Sequence, residues 1–248
     1  ADGQQKSLLD VAKENGWVIP TTNDEIRSLT ATNDRVLATN PVLQDSKAIH
    51  YEIDRIQKEV AGEDVLSLAD FVRSGINVLD NDNGFFMMCE GGKIDWAGHA
   101  NDAATSIYDT IALSDAVQVA LDFAAAHPGE CLIIVTADHE TGGMTIGFAG
   151  TGYKTFFSKL GGQTLSYEEF DKQIKTYRDQ VGASNANLDD WLPALANQFG
   201  MNELTAYEKN RLAQALAASM IDPKKRPADE ETTLAYGPYE PFSVTVTH

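Results

Sequence analysis

In the stretch EGGKIDWAGH, a carboxylate at Glu90, a second at Asp95 and an imidazole at His99 fall within ten residues. Further along, Asp138 and His139 are adjacent. Mixed carboxylate and imidazole donors suit zinc. Glu90 adds an oxygen donor better matched to a hard ion such as magnesium. Asp95 and His99, four positions apart across a short loop entering a helix, can bring an oxygen and a nitrogen to one ion. Neighbours in an extended strand point to opposite faces, so Asp138 and His139 can share an ion only if the backbone turns there. Gly142 and Gly143, just beyond, offer such a turn. Each residue also has an ordinary reading: His99 as a cap or surface residue, Asp138-His139 as a plain loop, Glu90 as the cap of a turn. Their convergence is what argues for a site.

The elements that must position these residues can be read from the flanking pattern. An apolar run at 84–89 reads as a buried strand, and a second at 131–137 reads as another. Between them, 100–126 shows a helical stripe (Ala104, Ile107, Tyr108, Ile111, Val117, Leu121) that Pro128-Gly129 ends. Strand, helix and strand make one βαβ unit, whose two strand ends share an edge of the sheet. Ligands in open α/β sheets bind outside those carboxyl ends.

Upstream, 5–15 is expected to be a helix, 17–19 and 35–38 short strands, Asn23 the cap of a helix through Leu29, 40–64 loop plus a partial helix, and 66–80 a firm helix. Residues 144–148 and 153–157 could be strands. From about Ser166 three polar helical stretches follow, then a charged linker at 222–231. The expected fold is α/β, a central, mostly parallel sheet flanked by helices with a helical insertion. The expected division is 1–150 as the α/β core with the metal-binding strand ends, 151–242 as a mostly helical insertion, and 243–248 as a truncated return to the core.

A net charge of −18 argues against nucleic acid and anionic membrane surfaces as partners, because their phosphates would be repelled. No apolar run approaches the ~18 residues of a membrane span. No secretory leader opens the chain, so it is expected to be cytosolic, to have lost a leader, or to begin partway into a longer protein. Cys89 and Cys131 lie in the two expected strands and read as inert buried thiols. His50 reads as a surface or partly buried helix residue, and His127 as a helix C-terminal imidazole.

The stretch EGGKIDWAGHANDAA, followed one helix later by LIIVTADHETGG, resembles the alkaline phosphatase family; SLLDVAKENGW and the short strand after it are also similar to that family. The resemblance implies two zinc ions and one magnesium ion about a serine nucleophile, and hydrolysis of phosphomonoesters through a phosphoserine intermediate. Carried over by position, Glu90 would bind magnesium, Asp95 and His99 one zinc, and Asp138 and His139 the other. Trp96 occupies a position that carries a basic residue in some members of the family and an aromatic one in others, and is expected to tune phosphate contact.

The departures are equally specific. The nucleophilic serine, the metal-bridging aspartate, the magnesium-binding threonine and the phosphate-gripping arginine belong to a part of the family with no counterpart here. Asp45-Ser46-Lys47 resembles a nucleophile site but lies too close to Glu90, with no strand before it. His248 sits in a Val-Thr-His setting unlike the loop that bears the family's third zinc histidine. No catalytic residue is therefore assigned in this chain, which resembles the middle and later part of an alkaline phosphatase and is expected to be inactive alone and to bind zinc weakly. Resemblance also implies a possible homodimer and a periplasmic or secreted location. Two alternatives stay open: another metalloenzyme of the same superfamily, such as a phosphodiesterase or sulfatase, and a non-catalytic metal-binding fragment.

Overall fold

The computed structural model describes residues 6–145, 152, 154–226 and 238–247. Among these residues the expected strand at 153–157 does not form: 154–156 have no regular structure and Phe157 opens a 3-10 turn, Phe157–Gly162. Most of the strand expected at 144–148, the second half of the 222–231 linker, and His248 lie outside the described residues.

Among the described residues ten α-helices form: α1 (Leu8–Glu14), α2 (Asn23–Arg27), α3 (Glu52–Val60), α4 (Leu68–Leu79), α5 (Gly92–His99), α6 (Ala103–Ala126), α7 (Tyr167–Val181), α8 (Leu192–Phe199), α9 (Ala206–Ser219) and α10 (Pro241–Thr247). Several start where the sequence supplies a side-chain acceptor for the free N–H groups of the first turn. Ser67 and Asp70 close a reciprocal box at the start of α4, and Thr205 and Glu208 one at α9. At α2 the cap is Thr22, boxed with Glu25, rather than the expected Asn23. Asn23 is the first helical residue and its amide instead donates to the Asp64 carboxylate at 2.9 Å. His50 lies before α3, not within it, and is buried.

The chain divides into two compact units. The first comprises residues 1–50, 58–91 and 110–136. Its buried cluster joins Val72 and Ile76 of α4 to Ala116 of α6, with Met87 packed against them. Val18 and Val36 form an isolated parallel bridge, closed by Val18 N–H to Arg35 O at 2.7 Å and Leu37 N–H to Val18 O at 2.9 Å. Residues 85–90 and 131–135 are not in regular strands.

The two runs expected to be buried strands are thus a correction. Phe86 (88%) and Met88 (76%) point into solvent while Met87 packs inward; Leu132 (84%) and Ile134 (76%) are exposed while Ile133 is half-buried. In each run a single residue, Met87 or Ile133, is half-buried, while Cys89, Cys131 and Val135 (64%), which share their parity, are exposed, so neither run is buried along one face. Cys89 and Cys131 are correspondingly exposed free thiols, not buried ones. Ladder pairing and a second layer bury such a run, and no described residue forms a ladder with either.

The second unit comprises residues 51–57, 92–109 and 137–248. Its main core is aromatic: Phe170 of α7 meets Trp191, Phe199 and Phe242 with ring centroids 4.8–5.5 Å apart. Burial of α7 is anchored at its cap, where the Ser166 N–H and hydroxyl both donate to the Asp54 carboxylate, at 2.8 and 2.6 Å. No described helix is long and apolar enough to cross a membrane.

Candidate metal centre

The motif itself is helical. The expectation placed Asp95 and His99 in a loop before a helix, but α5 begins at Gly92 and carries both. At i and i+4 they share one face, with His99 Nε2 3.5 Å from Asp95 Oδ2. After His99 the chain turns through Asn101, at φ 54°, and Asp102 starts α6 by accepting the Thr105 N–H at 3.1 Å. The buried Asp102 carboxylate also accepts from the Thr105 hydroxyl, the Gln163 amide and the Tyr167 N–H. Burial nevertheless pushes its pKa up.

Asp138 and His139 form the second pair, with His139 Nε2 3.5 Å from Asp138 Oδ2. The backbone bends at Asp138 and Gly142. The His139 N–H donates to Asp138 Oδ1 at 3.1 Å, and the Gly143 N–H to Glu140 Oε2 at 3.1 Å. The turn brings adjacent side chains together where an extended strand would separate them.

One residue that sequence reasoning passed over joins the pairs. The Thr141 hydroxyl donates to Asp95 Oδ1 at 2.7 Å and stands 3.0 Å from His139 Nδ1. A hydroxyl has one proton, so toward His139 it accepts. The Glu140 carbonyl, 3.0 Å from the same Nδ1, can only accept. Nδ1 therefore carries the proton, and the Nε2 lone pair is left for an ion, the tautomer control that metal-bound histidines use. Hydrogen bonding to Glu140 and the nearby Asp138 carboxylate raise the His139 pKa. The only sequence signal for Thr141 was its place directly after Asp138-His139-Glu140.

The two stretches meet backbone to backbone. A Cβ on Gly98 would lie 2.7 Å from the Thr141 carbonyl oxygen, and a Cβ on Gly142, itself at φ 86°, would collide with the Gly98 carbonyl. Only glycine permits this approach at both positions.

The donor types fit zinc, yet no three His, Cys, Asp or Glu side chains among the described residues gather at one point. The chain thus offers two Asp–His pairs, each short of the three or four protein ligands zinc takes. Glu90 belongs to the first unit, exposed at the end of the 85–90 run. Ser46 is also in the first unit, exposed in a short 3-10 turn at φ 50°. Trp96 is half-buried, packed over Lys93.

Solved structures define the class of fold. A cold-active alkaline phosphatase from the psychrophile Shewanella sp. superposes with a TM-score of 0.69 at 21% identity, over 98% of this chain and 50% of that one. The Thermus thermophilus alkaline phosphatase gives 0.67 at 22% identity, over 97% and 46%. The fold is alkaline-phosphatase-like. The profile of the alkaline phosphatase family matches residues 1–235, and the chain belongs to that family. The repressible alkaline phosphatase of Saccharomyces cerevisiae is 34% identical over 147 residues, 56% of this chain and 25% of that protein. Alkaline phosphatase 3 of Bacillus subtilis is 36% identical over 130 residues (48% and 28%), and the Escherichia coli enzyme 31% over 151 residues (55% and 32%). The matched region thus spans about a quarter to a third of these curated relatives.

Proposed function

We propose that this chain carries part of the metal centre of a zinc- and magnesium-dependent alkaline phosphatase, which hydrolyses phosphomonoesters through a phosphoserine intermediate. The observation that carries the reading is the Thr141 hydroxyl between Asp95 and His139, which joins two Asp–His pairs into one polar assembly. Asp95 with His99 would hold one zinc and Asp138 with His139 the other; Glu90 would serve the magnesium. Bound there, paired metals supply charge stabilisation to the attacking and leaving oxygens of a phosphoryl transfer. The chain's own residues orient the donors: Thr141 holds Asp95 through Oδ1 and fixes the His139 tautomer. Trp96 would flank the phosphate. The completed enzyme would have a central, mostly parallel sheet including 84–89 and 131–137, and the family resemblance supports a periplasmic or secreted location and a homodimer.

With two donors per ion and no assigned nucleophile, the 248-residue chain alone is expected to bind zinc weakly and to leave p-nitrophenyl phosphate untouched. Calorimetric zinc titration of the chain and of an Asp138→Asn, His139→Ala variant tests the assignment: zinc uptake falls in the variant. Unchanged uptake would overturn it. Zinc-dependent turnover by the chain alone would show that its nucleophile is present.

A further inference from the structure

Helix α5 has two faces. Asp95 and His99 lie on the open one, with side chains 36% and 61% exposed. Lys93 and Ala97, four apart, lie on the other and are buried, as is Ala100 in the turn directly after the helix, with Trp96 half-buried beside them. Two methyl groups resist rotation of a helix poorly. The contacts with direction on this face are made by a cation and two rings: the Lys93 ammonium lies 3.9 Å from the centre of the Tyr51 ring and 4.3 Å from that of Trp96. It also feels the buried Asp109 carboxylate. The Tyr51 ring is fixed in turn, its hydroxyl 2.9 Å from that of Tyr167 and its edge against the same residue.

We propose that Lys93 is a positioning residue for the metal centre: its ammonium, held between Tyr51 and Trp96, sets the rotation of α5 and hence where Asp95 and His99 present their ligating atoms. This rests on the proposed metal-binding role of Asp95 and His99. A buried charge costs free energy that an apolar side chain of the same length would not. What the charge adds over methionine is direction, because a cation is attracted to ring faces, where a thioether packs in many orientations.

The test compares Lys93→Met, which keeps length without charge, with Lys93→Arg, which keeps a cation able to stack on both rings. In the 248-residue chain, zinc affinity by calorimetry is expected to fall about tenfold in Lys93→Met, as when an outer-shell partner is lost, and to return to within about threefold of wild type in Lys93→Arg. A purely packing role predicts the opposite: a changed thermal midpoint with unchanged zinc affinity, which would overturn the proposal. Should Lys93→Met fail to fold, Tyr51→Leu removes one ring and leaves the cation; it carries the same expected loss, and undiminished affinity there is equally fatal. If the wild-type chain takes up no zinc, the metal reading itself fails, and hydrogen exchange across residues 95–99 decides on Lys93. Faster exchange in Lys93→Met than in Lys93→Arg supports the clamp; equal rates overturn it.

Discussion

The Thr141 hydroxyl donates to Asp95 Oδ1 at 2.7 Å while accepting from His139 Nδ1 at 3.0 Å, so one hydroxyl orients a carboxylate on α5 and an imidazole some forty residues further along. Removing it should be felt at both. Thr141→Val keeps shape and deletes the hydroxyl. Zinc affinity is expected to drop about tenfold, with Thr141→Ser near wild type. Calorimetric titration of the three proteins checks this, and equal affinities would remove Thr141 from the site.

The contact between Gly98 and Gly142 tolerates no side chain. Gly142→Ala adds a left-handed backbone penalty to a collision with the Gly98 carbonyl. Such strained positions cost about 1–3 kcal/mol each, and the loss should appear as a lower urea midpoint. Gly129→Ala is the control: it carries the same kind of positive φ, 83°, in open space, so its loss should be the smaller.

Stability should fall as pH rises toward the alkaline side. Asp171 on α7 is half-buried, with its Oδ1 enclosed and lacking a hydrogen-bond partner. Burial pushes its pKa up to about 8, and the neighbouring Glu240 and Glu168 carboxylates add to the rise against the Ser243 hydroxyl and Arg226. Its folded pKa is raised above its unfolded value, so the folded state binds the extra proton. The resulting stability is full below the unfolded pKa of 3.8 and is lost as pH rises through about 8. Within that window the slope reaches about 1.4 kcal/mol per pH unit. Burial pushes Asp109 up to about 8 as well, so Asp171→Asn should reduce the slope without abolishing it; urea denaturation at several pH values measures it, and an unaltered slope would assign the dependence elsewhere.

The two apolar runs of the first unit should carry reactive thiols. Cys89 and Cys131 are exposed free thiols on the two apolar runs. Both should titrate with a disulfide reagent without denaturant. Cys89 should be the slower near neutral pH, because partial desolvation and the Glu90 carboxylate raise its pKa. Protection of either thiol in the native chain would mean that the runs are covered.

Much of the helical framework was legible in the sequence because capping, apolar spacing and stop residues are local. Ser67 with Asp70 starts α4 and Pro128-Gly129 follows the end of α6 as the pattern demands. The candidate ligands were legible for the same reason: Glu90, Asp95, His99, Asp138 and His139 stand out by residue type and spacing alone. Burial of the 84–89 and 131–137 runs was misread, because an apolar strand is buried only by partners in space, and none among the described residues ladders with either. The helical state of 92–99 was also missed, since Gly92 and Gly98 weaken a helical reading that contacts on the buried face restore. Only the tertiary structure could bring Thr141 to Asp95, Gly142 to Gly98 and Lys93 to Tyr51. Sequence by itself marked out the side chains proposed as metal ligands; the close approach of distant backbone decided which of them meet, because that approach depends on the absence of a Cβ and on a hydroxyl proton that no local pattern records.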